Sequence, residues 1–298
     1  MGNQVLKPQN QEPRTKNQEL QHQEQNYKNH LNHKNYKNPK MRPTILITND
    51  DSIYSTGIRL LIEIAQKFGD VVVVAPDSAQ SAKGHSVTIG EPLRLKPKHS
   101  MFEGVKEAYA CTGTPADCVK LGMDKVLEKK PDFCFSGINH GSNASVNVVY
   151  SGTMGAAMEA ALAGVPSIGF SNQDYDHQGD LTTCAKYVEE IIETAMTKGF
   201  GNSSLLNVNV PFVPVDKVKG IRICRQAVAQ WTQEFDERAD PYGRSYYWLT
   251  GNLENNDIGE DTDLYALEHH YVSVVPVLLD FTAHQEMELL NQKWNNHG

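Results

Sequence analysis

Residues 44–76 read TILITNDDSIYSTGIRLLIEIAQKFGDVVVVAP. Thr44–Thr48 is a short apolar run, which reads as a buried strand. From Gly57 to Phe68 the period changes, and Ile58, Leu61, Ile62, Ala65 and Phe68 fall on one face of a helix. Val71–Ala75 is apolar without alternation and ends at Pro76, the pattern of a second strand covered on both faces. Strand, helix and strand in succession make a βαβ unit. That unit sets the expectation of a parallel sheet between two layers of helices.

The rhythm continues downstream. Thr114–Leu127 begins with Thr114 as N-cap, Pro115 at the first helical position and Asp117 at the third, a well-formed helix start. Asp132–Ser136 reads as a strand, Gly152–Ala163 as a helix and Pro166–Ser171 as a strand. A long helix near Leu181–Thr197 and a strand at Leu205–Val210 follow. Two segments break the pattern. Glu91–Pro97 and Glu107–Cys111 alternate at period two and are expected as an inserted β-hairpin. Residues 219–280 read as an arm or β-extension, with strands around DPYGRSYYW, an acidic loop after it and a strand at Tyr271–Val277. A helix near Ala283–Trp294 comes last. The expected fold class is α/β, three-layer α/β/α and Rossmann-like, with a mostly parallel sheet.

Charge divides the chain in two. The net charge of −8 combines a basic stretch at residues 1–40, with seven Lys/Arg against three Asp/Glu, and an acidic remainder at −12. The first 40 residues also hold eight Asn and seven Gln with few aliphatics, so they are expected as a disordered extension. Met41, directly before the first strand, is the expected true start. A remainder this acidic is a poor general binder of nucleic-acid polymers, whose phosphates need a basic surface. No window approaches the ~18 unbroken apolar residues of a membrane span. The five cysteines form no CxxC pair and are expected as free thiols in a reducing cytoplasm.

Ligands of open α/β sheets bind just past the carboxyl ends of the parallel strands. The loops expected there are 49–52, 76–86, 137–153 and 172–174. The first carries adjacent acids, Asp50 and Asp51, which repel each other. Their residue types allow an Asx-type helix entry, and equally a hard cation such as Mg²⁺, Mn²⁺ or Ca²⁺. Ser151-Gly152-Thr153 opens a helix and is either an anion site or an ordinary N-cap. His85 and His140 lie in the candidate loops, where solvent-facing histidines are common. His269 and His270 are read as surface residues. No GxxxxGK[ST], no GxGxxG after the first strand and no GxSxG elbow are present, and Cys111 lacks a His partner by spacing.

The stretches TNDD (48–51), VVVVAPDSAQSAKGHSVT (71–88), CTGTPADCVKLG (111–122), SGINHGSN (136–143) and SGTMGAAMEAALAGVPSIGFS (151–171) resemble, in order, the SurE family. The resemblance implies a metal-dependent 5′/3′-nucleotidase that hydrolyses nucleoside monophosphates, and short polyphosphate in some members. It implies one divalent metal ion per subunit, Mg²⁺ or Mn²⁺ with Ca²⁺ in some crystals, held by Asp50, Asp51, Ser81 and Asn139. Asp50 and Asp51 also carry over as catalytic, and Ser151, Gly152 and Thr153 as the phosphate-side loop. A homodimer or homotetramer built through C-terminal arms is implied as well. One position departs: where the family has NDDG, this chain has Ser52. Two other functions fit the residues less well. An aspartyl-phosphate phosphatase pairs acids two apart, which this chain does not. A non-catalytic nucleotide-binding oligomer is the other.

Overall fold

The computed structural model describes residues 42–176, 179–201 and 203–294. The extension at 1–40 and Met41 lie outside the described residues. The elements are β1 (Thr44–Thr48), α1 (Thr56–Ala65), β2 (Asp70–Pro76), β3 (Leu95–Pro97), β4 (Glu107–Cys111), α2 (Pro115–Leu121) and β5 (Phe133–His140). Next come α3 (Asn147–Tyr150), α4 (Gly152–Leu162), β6 (Ser167–Asn172), α5 (Thr182–Lys198), β7 (Leu205–Val210) and β8 (Ile221–Ile223). The arm holds β9 (Ala229–Thr232), β10 (Phe235–Ala239), β11 (Ser245–Leu249) and β12 (Asn252–Asn255). After it come α6 (Asp263–Glu268), β13 (Val272–Pro276) and α7 (His284–Trp294).

One sheet runs in the order β3-β4-β2-β1-β5-β6-β7-β13-β8. From β4 to β7 every neighbouring pair is parallel, while β3 and β13 run antiparallel to β4 and β7. Alternate residues of each buried strand enter opposite layers. Ile45, Ile47, Val71, Val73, Phe135 and Phe170 pack with α1 and α5. Leu46, Val72, Val74 and Cys134 face the other way, toward Cys118 and Val119 of α2 and Ala156 and Ala160 of α4. This is the three-layer sandwich that the unbroken apolar strands imply.

Two expectations change in detail. The inserted hairpin is part of the main sheet: β4 lies parallel to β2, and only Leu95–Pro97 of the first strand pairs with it. The register runs Val74↔Tyr109, because alternating Ala108 and Ala110 fill the core side of an edge-proximal strand. The strand expected to stop at Ser136 runs on to His140, with an irregularity in pairing between Ser136 and Asn139. Asn139 and His140 therefore stand on a strand, not in a loop.

The chain leaves β1 toward β2 on one side, and β5 joins β1 on the other. The sheet's switch point thus lies between the carboxyl ends of β1 and β5, where such sheets open a crevice. Gly57 closes the packing beneath it. A Cβ there would stand 2.0 Å from the Ile138 carbonyl oxygen, so the first turn of α1 rests directly on the backbone of β5. Gly57→Ala should cost about 1–3 kcal/mol of stability by overpacking. Urea unfolding checks this, and an unchanged midpoint would contradict the contact.

Candidate functional site

Asp50 and Asp51 stand immediately past β1 and are both buried, at 4% and 8% exposure. The turn after them is held from within. Asn49 Nδ2 donates to the Ser52 carbonyl at 2.8 Å and to Ser55 Oγ at 2.9 Å, and Ser55 is the N-cap of α1. Ser52 sits at φ +86°, the left-handed region that costs a non-glycine residue about 1–2 kcal/mol. The turn that a glycine usually makes is made here by serine. Only a long contact, Tyr54 N–H to Ser52 Oγ at 3.4 Å, offsets the strain.

Each acid is held by a different element. Thr153 Oγ1 donates to Asp50 Oδ1 at 2.5 Å, and the Thr153 backbone N–H bonds the same residue. The His140 backbone N–H donates to Asp51 Oδ2 at 3.1 Å. The start of α4 approaches closely because Gly152 has no side chain: a Cβ there would stand 2.8 Å from Asp50 Cβ. Burial pushes the Asp50 carboxyl up from 3.8 to about 6, with the Thr153 hydrogen bond opposing and the Asp51 charge adding to the rise. Between those values the folded state keeps a proton that the unfolded chain has released. In the metal-free protein, ionised Asp50 therefore costs stability as pH rises through that window.

The loop after β2 reaches the same place. Gln80 N–H donates to the Asp50 carbonyl at 2.7 Å, and Gly84 N–H to the Tyr150 carbonyl at 2.9 Å. Gly155 lets this loop lie on α4, since a Cβ there would meet the Gly84 carbonyl oxygen at 2.5 Å. His85 Nε2 meets Glu159 Oε2 at 2.9 Å and ties the loop to α4 further along. Ser81 is thereby brought to a cavity of about 660 Å³ that Asp50, Asn139 and Ser151 also line. Asn139 Nδ2 donates to the Gly141 carbonyl at 2.7 Å, which leaves Oδ1 as the end that a cation can use.

Three of the four expected metal-side residues, Asp50, Ser81 and Asn139, line this cavity, and Asp51 adjoins Asp50. No Lys or Arg is among the lining residues. Among the described residues no group of three His, Cys, Asp or Glu is present, so a cation here would rely on hydroxyl and amide oxygens beside two carboxylates. That donor set fits a hard divalent ion. The expected phosphate-side loop divides. Ser151 lines the cavity and accepts the Met154 N–H at 3.0 Å, which leaves its hydroxyl proton to donate. Gly152 and Thr153 lie behind it. Thr153, fully buried, gives its hydroxyl and N–H to Asp50.

Sequence reasoning missed three things here. The Thr153 hydrogen bond joins residues 103 positions apart and leaves no local signal. His140, read as a loop histidine, is buried, with Nε2 3.2 Å from Thr56 Oγ1. Trp231 lines the cavity, and reading residues 219–280 as an arm gave no sign that it would reach the sheet's edge.

Fold and edge together define a Rossmann-like α/β protein with an acidic, oxygen-lined centre at its switch point. The chain belongs to the SurE family: the model described as "Survival protein SurE" matches residues 45–233. It is 54% identical over 254 residues to a protein of Cytophaga hutchinsonii named 5′-nucleotidase SurE, covering 85% of this chain and 97% of that one. A protein of the same name from Flavobacterium psychrophilum is 52% identical over 250 residues, 84% of this chain and 97% of that one. The crystal structure of the SurE protein from Aquifex aeolicus superposes with a TM-score of 0.73 at 38% identity, covering 84% of this chain and 99% of that one.

Two outcomes follow from the geometry. Ser52→Gly should raise stability by about 1 kcal/mol, since glycine adopts φ +86° freely; urea unfolding of the two proteins checks this, and a less stable variant would contradict it. In EDTA, Asp50→Asn should gain up to about 3 kcal/mol relative to the parent as pH rises from about 4 to about 6. Unfolding free energies at a series of pH values read this, and a gap that narrows with rising pH would reverse the sign argued here.

Proposed function

We propose that this protein is a metal-dependent 5′/3′-nucleotidase that converts nucleoside monophosphates to nucleoside and phosphate. The observation that carries the reading is the pair of buried, adjacent acids at the switch point, in one cavity with the oxygen-bearing side chains of Ser81 and Asn139. The names of the relatives support the substrate class. Asp50, Asp51, Ser81 and Asn139 would hold one Mg²⁺ or Mn²⁺. When bound, the ion supplies Lewis-acid chemistry toward a phosphoryl oxygen.

The chain's own residues do the rest. Thr153 fixes the Asp50 carboxylate, and the His140 N–H fixes that of Asp51. Gly141 orients the Asn139 amide. The Ser151 hydroxyl donates to a phosphate oxygen at the cavity wall, and the start of α4 adds a favourable dipole for an anion. Asp50 is the nearest carboxylate to take a proton from the attacking water. The cavity is walled mostly by side-chain amides, hydroxyls and aromatics. It therefore offers no cluster of cations to hold a second or third phosphate, which favours monoesters over short polyphosphate.

The reading extends to assembly and place. The arm leaves Phe235, Tyr247, Trp248 and Leu249 exposed, and α7 buries none of its residues. These surfaces support a homodimer or homotetramer, with light scattering as the test. All five cysteines are buried and free, which supports a cytoplasmic setting. Among the described residues no helix is long and apolar enough to cross a membrane.

One plate tests the activity: AMP, 3′-AMP, p-nitrophenyl phosphate and polyphosphate with Mg²⁺, Mn²⁺ or EDTA. Phosphate release from AMP should need the metal, and Asp50→Asn should lose at least about a thousandfold in kcat, the scale of several kcal/mol of lost charge stabilisation. An Asp50→Asn protein with full activity would overturn the site. Activity in EDTA would overturn the metal.

A further inference from the structure

The cavity extends well beyond the acids. Trp231, Tyr175 and Tyr150 line it together with Asp50, the first carried by β9 of the arm. We infer that this aromatic wall is a nucleobase-stacking slot and that Trp231 is the residue that selects a base-bearing monophosphate over a base-free one. The inference rests on the nucleotidase reading and names which part of the substrate meets which wall.

Trp231 is fixed in place. Its Nε1–H donates to Asn147 Oδ1 at 2.9 Å, so its polar edge is satisfied within the protein and its ring is left for apolar contact. The root of the arm is fixed as well. The buried Asp263 carboxylate accepts N–H groups from Ser145 at 2.8 Å and Ala227 at 2.9 Å, and Ser145 Oγ donates to the Ala227 carbonyl at 2.9 Å. These bonds join the arm to the segment between β5, which carries Asn139, and Ser151 at the start of α4. A rigid aromatic plane held by its own hydrogen bond loses little entropy when a base stacks on it.

Asn147, which holds the Trp231 ring, opens α3, and Ser151 follows directly after that helix. Trp231 and the Ser151 hydroxyl thus line one cavity of about 660 Å³. Tyr175, also in the wall, rests on Gly141, where a Cβ would stand 2.6 Å from the ring. Glu234, which with Trp231 flanks Gly251, places a negative charge beside the indole. A phosphate is disfavoured there, so the nucleotide enters with its phosphate toward Asp50 and its base toward the arm. Stacking is tolerant of base identity, because every base offers a π-face.

The experiment compares Trp231→Ala, Trp231→Leu and Trp231→Phe on AMP and on ribose 5-phosphate, which keeps sugar and phosphate but has no base. Stacking of one base is worth about tenfold to a hundredfold in affinity. Trp231→Ala and Trp231→Leu should therefore lose at least ten times more kcat/KM on AMP than on ribose 5-phosphate, chiefly through KM. Trp231→Phe should restore most of that difference. Equal losses on both substrates would overturn the slot, leaving Trp231 a structural residue. Trp231→Leu keeps the bulk if Trp231→Ala fails to fold. If the parent hydrolyses neither substrate with any metal, the nucleotidase reading fails and calorimetric binding of AMP decides the slot alone. Weaker AMP binding by Trp231→Leu than by the parent supports it, and equal binding overturns it.

Discussion

The hydrogen bond from Thr153 to Asp50 is the constraint on which the rest of the site depends. Two adjacent carboxylates at the end of a buried strand repel each other and lose their water. The fold answers with donors from a different element for each acid: the start of α4 serves Asp50, and the end of β5 serves Asp51. Both donors come from elements that cross the switch point beside β1. The same contacts draw Gly152 against Asp50 and bring Ser151 to the cavity wall. Charge, packing and substrate geometry thus share one small set of atoms. These donors hold the acids beside the hydroxyl of Ser81 and the amide of Asn139, an oxygen set that fits a hard cation.

Much of this architecture was legible in the chain. The apolar runs at Thr44–Thr48, Val71–Ala75 and Leu205–Val210 appear as strands within a residue or two, because a strand covered on both faces has nowhere to place a polar side chain. The capping box of Thr114 and Asp117 is present as read. Position along the sheet edge also followed from topology, and it brings Asp50, Ser81 and Asn139 to one cavity. The hairpin placement was less legible. Short alternating strands report one covered face but do not say which neighbour they join, and β4 pairs in parallel with β2. The extension of β5 through Asn139 was hidden because Gly137 reads as a strand's end, while here it takes φ +130° within the strand. Roles carried by long-range hydrogen bonds, such as that of Thr153, have no local signature.

Ser52 and the arm are where this chain departs from economy. Serine at φ +86° places a strained residue next to two buried acids. Strain of this kind persists where surrounding contacts over-determine the backbone, and the amide of Asn49 supplies such contacts at the Ser52 carbonyl and at Ser55. The arm is anchored with comparable firmness. Arg225 bridges Asp257 and Asp261 of the acidic loop, while Asp263 ties Ala227 to the loop that carries the site. An arm fastened at its root can lend Trp231 to the cavity and still offer its exposed aromatic hairpin to another surface.

The central claim is that the acids at the end of β1 share one divalent ion with Ser81 and Asn139. Anomalous diffraction from crystals soaked in Mn²⁺ tests it most directly. The account expects a single strong peak within coordination distance of Asp50, Asp51, Ser81 and Asn139, lost in Asp50→Asn crystals. A peak elsewhere in the chain, or none at this edge at saturating Mn²⁺, would contradict it.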